Sequence, residues 1–320
     1  MKVFVTGALG FIGRALVERY RADGAEVRGM DRMAEAAFGV VAGDVTDPGK
    51  WQDTIRGCEV VIHTAAIVSN VAAGDAIWKV NVLGTRRVLD AAIAAGARRF
   101  IHLSSVAAYG FDFPDGVDES YPLRPNGDSY VDTKVAAEQL VLQAHAAGEL
   151  ACSIVRPADV YGPGSRPWTV LPVEMIRSGQ FALPENGRGI FSPVYVDNLI
   201  EGIQSVARLE TAAGQVFNLG DGVGVETRTF FGHYSRMLGK GPIRSVPTAI
   251  AIPLADLAGG ALRLLGHESE ISGASMRMLA RRATYSIDKA RRLLGYEPKI
   301  DLDEGMRRSE RWLTDRGLLR

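Results

Sequence analysis

A tyrosine and a lysine four residues apart, Tyr130 and Lys134 in SYVDTK, hold the most informative chemistry of this sequence. Positions i and i+4 share one helix face, so the phenol and the ammonium can converge on one point. A phenol with an ordinary pKa of about 10 is a poor base by itself. A neighbouring positive charge favours the phenolate and lowers that value. Such a pair can take a proton from a carbinol, or return one to a carbonyl, while a hydride moves to or from a nicotinamide. A hydroxyl must also hold the substrate oxygen. Ser104 and Ser105 follow the strand-like run 98–103 (RRFIHL), and composition alone leaves both open. YxxxK by itself is common on helix surfaces; its weight comes from its surroundings.

The dinucleotide such chemistry needs has a place at the start of the chain, MKVFVTGALGFIG. Residues 3–6 read as a buried strand. Gly7, Gly10 and Gly13 then turn the chain into an amphipathic helix over 11–20, with Phe11, Ala15, Leu16 and Arg19 at helical spacing. Gly7 permits the tight turn, Gly10 lets a diphosphate approach the backbone, and Gly13 lets helix meet strand. The helix N-terminus offers N–H groups and a positive dipole end to the anion. A second strand, 25–30, ends at Asp31-Arg32. A carboxylate about twenty residues past the glycines can accept both hydroxyls of the adenine ribose, which argues for NAD. Arg32 would suit a 2′-phosphate and keeps NADP as the alternative. Asp44 and Val45, after the strand 39–42, are placed to hold the adenine edge. Asp47-Pro48 reads as the start of a helix over 50–56. Thr64, Ala65 and Ala66, after the strand 59–63, are small enough for a ribose and nicotinamide to lie close to the backbone. Asn81 sits in a long helix over 75–95, as a clip to a neighbouring strand or as part of a proton relay.

The bulk properties exclude other classes. The 320 residues are 47% hydrophobic and 23% charged, with 37 basic and 37 acidic side chains, so the formal net charge is zero. That balance calls for no nucleic-acid partner. Cys58 and Cys152 make no disulfide framework, and the five histidines (His63, His102, His145, His233, His267) lack metal-ligand spacing. No metal is expected. No signal-peptide pattern opens the chain. The most apolar stretch, 248–265, carries Pro253, Asp256, a Gly pair and Arg263; it suits a lid or surface helix and not stable membrane insertion. A small-molecule substrate and a cytoplasmic setting are the expectation.

Further strands are expected at 151–155, 194–197 and 216–219, and helices near Ser129, over 227–239, 271–282, 286–294 and 302–313. The alternation loosens past Pro163. This predicts an α/β fold, a doubly wound parallel sheet with a small C-terminal substrate lobe. Residues 1–165 form mainly the dinucleotide-binding domain, segments near 190–222 return to it, and 166–320 form mainly the lobe.

The motifs TGALGFIG, GDVTD, HTAA, SSVAAYG, YVDTK, RPADVYGPG, VYVDNL and KARRLLGYEP run in order through nearly the whole chain. The sequence resembles the extended short-chain dehydrogenase/reductases, the NAD-dependent epimerase/dehydratase group. The resemblance implies a Rossmann domain and Ser/Tyr/Lys catalysis, with Ser105 as the serine because it lies four residues before the Tyr of YG. It further implies cofactor contacts from Phe11, Ile12, Pro157, Val160, Tyr130 and Lys134, and a homodimer through the Tyr130 helix and the long helix before it. Sugar-nucleotide epimerases of this group usually have Asn where this chain has Asp159, whose charge would repel a diphosphate. They also tend to have Arg where this chain reads Ile190-Phe191-Ser192, although Arg188 is close. Val68, Phe111, Phe113, Tyr161, Trp168, Phe181, Phe191 and Tyr195 are candidates for an apolar pocket. The C-terminal half resembles the 3β-hydroxysteroid dehydrogenase and dihydroflavonol reductase branch. The expected activity is therefore alcohol/ketone oxidoreduction on a hydrophobic molecule, ahead of sugar-nucleotide epimerisation or dehydration and of a regulatory dinucleotide binder.

Overall fold

The computed structural model describes residues 1–69, 71, 74–265, 270 and 272–320. Seven parallel strands form the central sheet: β1 (Lys2–Thr6), β2 (Glu26–Asp31), β3 (Val40–Ala42), β4 (Val60–His63), β5 (Arg99–Leu103), β6 (Ala151–Pro157) and, after the short strands β7 to β10 described below, β11 (Val216–Leu219). Their spatial order is β11-β6-β5-β4-β1-β2-β3. The central strands are apolar on both faces, as a sheet covered on both sides requires. Val3 and Val5 of β1, Val60 and Ile62 of β4 and Ile101 of β5 feed the core on one side. Phe4, Val61 and Phe100, alternating with them, feed the core on the other. The chain leaves β1 toward β2 and β3, then crosses back to β4 and onward. The crevice between the carboxyl ends of β1 and β4 is thus the topological switch point, where open α/β sheets bind their ligands.

Helix α1 (Phe11–Ala22) follows β1 and buries Gly13, Leu16, Val17 and Tyr20. Of the expected set Leu16 is fully buried, Phe11 and Ala15 are partly buried against the same core, and Arg19 ion-pairs with Asp23 and Glu201. The segment expected as a helix over 50–56 is a 3₁₀ turn at Lys50–Ile55. The long helix over 75–95 is three pieces, α2 (Gly74–Trp78), a π-helical turn at Lys79–Gly84 and α3 (Thr85–Ala94). Asn81 lies within the widened turn, a form frequent at functional sites. Helix α4 (Ser129–Ala146) carries Tyr130 and Lys134; Asp128 caps it, its carboxylate accepting from the Tyr130 and Val131 N–H groups.

Beyond β6, β7 (Asp159–Tyr161) is followed by α5 (Leu171–Ser178), β8 (Ala182–Leu183), β9 (Ile190–Phe191), β10 (Pro193–Tyr195) and α6 (Val196–Arg208). After β11 come β12 (Val225–Glu226), α7 (Thr227–Met237), β13 (Arg244–Ser245), α8 (Thr248–Leu264), α9 (Gly273–Ala280), α10 (Asp288–Leu294) and α11 (Leu302–Asp315). The strand expected at 194–197 does not join the main sheet; β10 pairs with β7 in a separate ribbon. The helix expected over 271–282 appears as α9, and residue 271 lies outside the described residues, as does His267. None of the described helices is long and apolar enough to cross a membrane.

Candidate active site

The turn between β1 and α1 is built by backbone crowding. Gly7 has φ +65°, and a Cβ on it would lie 2.9 Å from the Ala65 backbone and from Thr64 Oγ1. A Cβ on Gly13 would lie 2.0 Å from the Gly7 carbonyl oxygen. The first element thereby sits directly against the Thr64-Ala65-Ala66 segment at the end of β4. Gly10, the N-cap of α1, supplies no capping side chain, so the first-turn N–H groups at Phe11, Ile12 and Gly13 face the crevice uncapped. This is the cradle a diphosphate requires.

Asp31, at the end of β2, accepts from the Leu9 N–H through Oδ2 (2.9 Å) and from the Arg32 N–H through Oδ1 (2.7 Å). One carboxylate therefore braces the glycine turn and keeps lone pairs for the adenine ribose hydroxyls. Arg32 is exposed. Asp44 accepts from the Thr46 N–H at 2.7 Å, and the Thr46 hydroxyl, with that backbone bond second, holds its carboxyl below the ordinary range. Val45 is buried in the core and can offer an adenine only its backbone. Pro157 ends β6 and Val160 lies in β7, both along the same carboxyl edge of the sheet.

A directional chain of buried hydrogen bonds runs beneath this edge. The Thr85 hydroxyl donates to the Asn81 carbonyl at 2.6 Å, so it accepts from His63 Nε2–H at 3.0 Å. His63 Nδ1 then accepts from the Thr6 hydroxyl at 2.7 Å, and Thr6 accepts from the Ala65 N–H. Burial, with Lys134 adding repulsion, pushes the His63 pKa down to about 3, so the ring stays neutral in this tautomer. The Asn81 side chain closes the set: Oδ1 accepts from the Ile67 N–H at 2.8 Å, and Nδ2 donates to the Ile67 carbonyl and the Thr133 hydroxyl. These bonds tie the 64–67 segment to α4.

On α4, Tyr130 and Lys134 are both buried. The Lys134 Nζ donates to the Leu103 carbonyl at 2.9 Å and lies 5.7 Å from the centre of the Tyr130 ring. Burial pushes the phenol up to about 12, and the neighbouring Ser105 hydroxyl opposes that rise. Burial pushes the Lys134 ammonium down to about 8, opposed by the Glu138 carboxylate. Ser105 Oγ also accepts from the Ala107 N–H at 3.1 Å. Ser104 is turned away, its hydroxyl donating to buried Glu138 at 2.5 Å. Of the two serines, then, Ser105 is the one beside the phenol. Glu138 is a site residue that the sequence reading missed; its position one turn beyond Lys134 was the available signal.

Two expectations are corrected here. Asp159 is not a free charge facing a ligand: it is buried and ion-paired with Arg281, which lies past the end of α9. Several pocket candidates are core. Tyr161, Phe191 and Tyr195 are fully buried and, with Phe230, form one aromatic cluster. Phe113 packs at a tilt against Tyr109 and Tyr285 in another. Val68 is exposed, and so is Arg188.

Residues 3–220 match the NAD dependent epimerase/dehydratase family. A Stigmatella aurantiaca protein named 4-hydroxy-2-methyl-3-oxo-4-farnesyl-3,4-dihydroquinoline-1-oxide ketoreductase is 34% identical over 319 residues, covering 96% of this chain and 95% of the relative. A 3-beta-hydroxysteroid dehydrogenase of Mycolicibacterium neoaurum is 31% identical, covering 98% of this chain and 92% of the relative. The crystal structure of DesIV, a dTDP-glucose 4,6-dehydratase from Streptomyces venezuelae with NAD and TYD bound, is similar at a TM-score of 0.79 and 26% identity, covering 99% of this chain and 98% of that one. With the switch-point crevice, the uncapped glycine turn and the strand-end carboxylate all in place, the chain belongs to the NAD dependent epimerase/dehydratase family of extended short-chain dehydrogenase/reductases and is an NAD-dependent oxidoreductase.

Proposed function

We propose that the enzyme interconverts a ketone and a secondary alcohol on a hydrophobic small molecule, with Tyr130 as general acid and base. The observation that carries the reaction class is the buried pair of Tyr130 and Lys134 beside Ser105 at the carboxyl edge of the sheet. NADH, when bound, supplies the hydride, and NAD accepts it in the reverse direction. Gly7, Gly10 and the Phe11–Gly13 N–H groups hold the diphosphate; Asp31, Asp44 and Val45 hold the adenosine half; the Thr64-Ala65-Ala66 segment, Asn81 behind it, and Pro157 and Val160 bound the nicotinamide end. Ser105 holds the substrate oxygen by a hydrogen bond. Tyr130 donates its proton to that oxygen as the alcohol forms. Lys134 stabilises the phenolate that remains and orients the nicotinamide ribose. Residues 166–320, apart from the returning segments near 190–222, cover the substrate.

The substrate class rests on two supports. The curated relatives include a ketoreductase whose named substrate carries a farnesyl chain and a steroid dehydrogenase. Within this chain, Asp159 and Arg281 neutralise one another, so neither offers a free charge to an ionic ligand. Sugar-nucleotide chemistry is the second reading, favoured by the likeness to the dTDP-glucose dehydratase. The two differ in cofactor balance: a ketoreductase consumes one NADH per product, whereas an epimerase or dehydratase returns its hydride and leaves none consumed. Following NADH absorbance with alkyl, aryl and steroid ketones, and separately with UDP- and dTDP-sugars, tests the proposal.

Cofactor choice gives a second expected result. Because Asp31 also braces Leu9, removing the whole side chain would loosen the turn for either dinucleotide. Asp31→Asn keeps an acceptor for the brace and removes the charge that repels a 2′-phosphate. NAD affinity should fall by about tenfold, the loss of a charge-assisted hydrogen bond, while NADP affinity rises. Fluorescence titration with NADH and NADPH measures both; equal losses would place the ribose contact elsewhere.

A further inference from the structure

Glu138 and Arg156 form a buried ion pair that touches the elements on both sides of Ser105. Arg156, on β6, donates from Nε to Glu138 Oε1 at 2.9 Å and from Nη2 to Oε2 at 2.7 Å, a two-pronged contact between side chains almost wholly buried. Glu138 Oε1 also accepts the Ser104 hydroxyl. Arg156 Nη1 donates to the Tyr109 hydroxyl at 2.8 Å, and its guanidinium lies 4.8 Å from the centre of that ring. Ser104 precedes the turn that Ser105 caps, and Tyr109 is the last residue of its helical part, Val106–Tyr109. Glu138 is one turn beyond Lys134 on α4, and Lys134 grips the Leu103 carbonyl beside Ser104. The Tyr109 hydroxyl continues to Asn218 Oδ1 at 2.9 Å, and Asn218 Nδ2 donates to the Ser286 carbonyl just before α10.

We propose that the Glu138–Arg156 pair is a positioning device, holding the Ser105 turn and the Tyr130–Lys134 face of α4 in one register through Ser104 and Tyr109. This inference rests on the roles given above to Ser105, Tyr130 and Lys134. A buried ion pair is in general weak evidence of a stabilising role, since apolar side chains of similar volume often replace one at no loss of stability. Ions fix direction and spacing in a way that apolar contacts do not. The charged and titratable groups around Lys134 are Glu138 and Tyr130 on α4, His63 on β4 and His102 on β5; Arg156 reaches it through Glu138. Both histidines are held in the uncharged form by burial, so Glu138 is the anion that sustains the ammonium.

The test is the double substitution Glu138→Leu with Arg156→Met, which removes both charges of the pair together and leaves Lys134 without its neighbouring anion. A folded double variant should keep its NADH affinity and KM, yet lose about a hundredfold in kcat, the effect of displacing reacting groups by about 1 Å. Its Tyr130 phenolate band in the NAD complex, read as an ultraviolet difference against Tyr130→Phe, should appear at higher pH than in the wild type. Unchanged kcat and unchanged phenolate titration in the folded double variant would overturn the proposal. If the double variant does not fold, Ser104→Ala decides: kcat should fall by about tenfold, the worth of one hydrogen bond to a charged group, and Ser104→Thr should restore it. Unchanged kcat in Ser104→Ala would overturn the proposal equally. Should the wild type turn over no ketone, the proposed activity fails by itself; the phenolate titration still reads the positioning role.

Discussion

Replacing Tyr130 with phenylalanine should lower kcat by about a hundred- to ten-thousandfold, the contribution of a positioned general acid, with NADH affinity nearly unchanged. The hydroxyl is the only group removed, and the ring keeps its buried place on α4. The pH dependence of the wild-type enzyme carries the same account. In the direction of ketone reduction Tyr130 must be protonated, and burial, which lifts its pKa to about 12, keeps it so through the accessible range. Lys134 must be charged to stabilise the phenolate that forms. Its ammonium is present below about 8 and lost above it, because burial lowers its pKa. Reduction should run flat through neutral pH and fall as the pH rises past about 8. Steady-state rates over pH check both statements, and undiminished turnover by Tyr130→Phe would remove tyrosine from the chemistry.

The second large effect is at Gly13. A methyl group there would meet the Gly7 carbonyl at 2.0 Å and the Ala8 Cα at 3.0 Å. Both are backbone, so no side chain can swing aside, and the turn must open. Gly13→Ala should weaken NADH binding by about ten- to a hundredfold, the loss of one or two phosphate hydrogen bonds, and destabilise the fold by about 1–3 kcal/mol. Gly241→Ala, where an added Cβ meets nothing within 4 Å, is the control and should change neither quantity. Fluorescence titration and thermal unfolding measure the two.

What the sequence revealed depended on how local each feature is. The glycine turn, the carboxylate after β2 and the Tyr130–Lys134 spacing are short-range patterns whose geometry follows from strand and helix periods. The six strands from β1 to β6 were legible for the same reason, since their apolar runs must be buried on both faces. Partners distant in the chain were not legible. Asp159 read as an exposed charge because Arg281, which neutralises it, lies 122 residues away. Composition left Ser104 and Ser105 open, and only the family resemblance singled out Ser105; the hydrogen bond from Ser104 to Glu138, 34 residues on, turns Ser104 away from the phenol. The aromatic residues proposed to line a pocket are partly core because several of them found one another, Phe191 against Phe230 and Tyr161 against Tyr195. Helical periodicity gave α1 and three of its core contacts, Phe11, Ala15 and Leu16, while the close approach of Gly13 to the Gly7 carbonyl is a contact that an apolar stripe does not reveal.

The most direct measurement follows a deuterium label from C4 of NADH into product. With an alkyl, aryl or steroid ketone as substrate, the account predicts deuterium on the new carbinol carbon and one NADH consumed per alcohol formed. Conversion of a UDP- or dTDP-sugar with no NADH consumed, alongside no label transfer to any ketone, would contradict it.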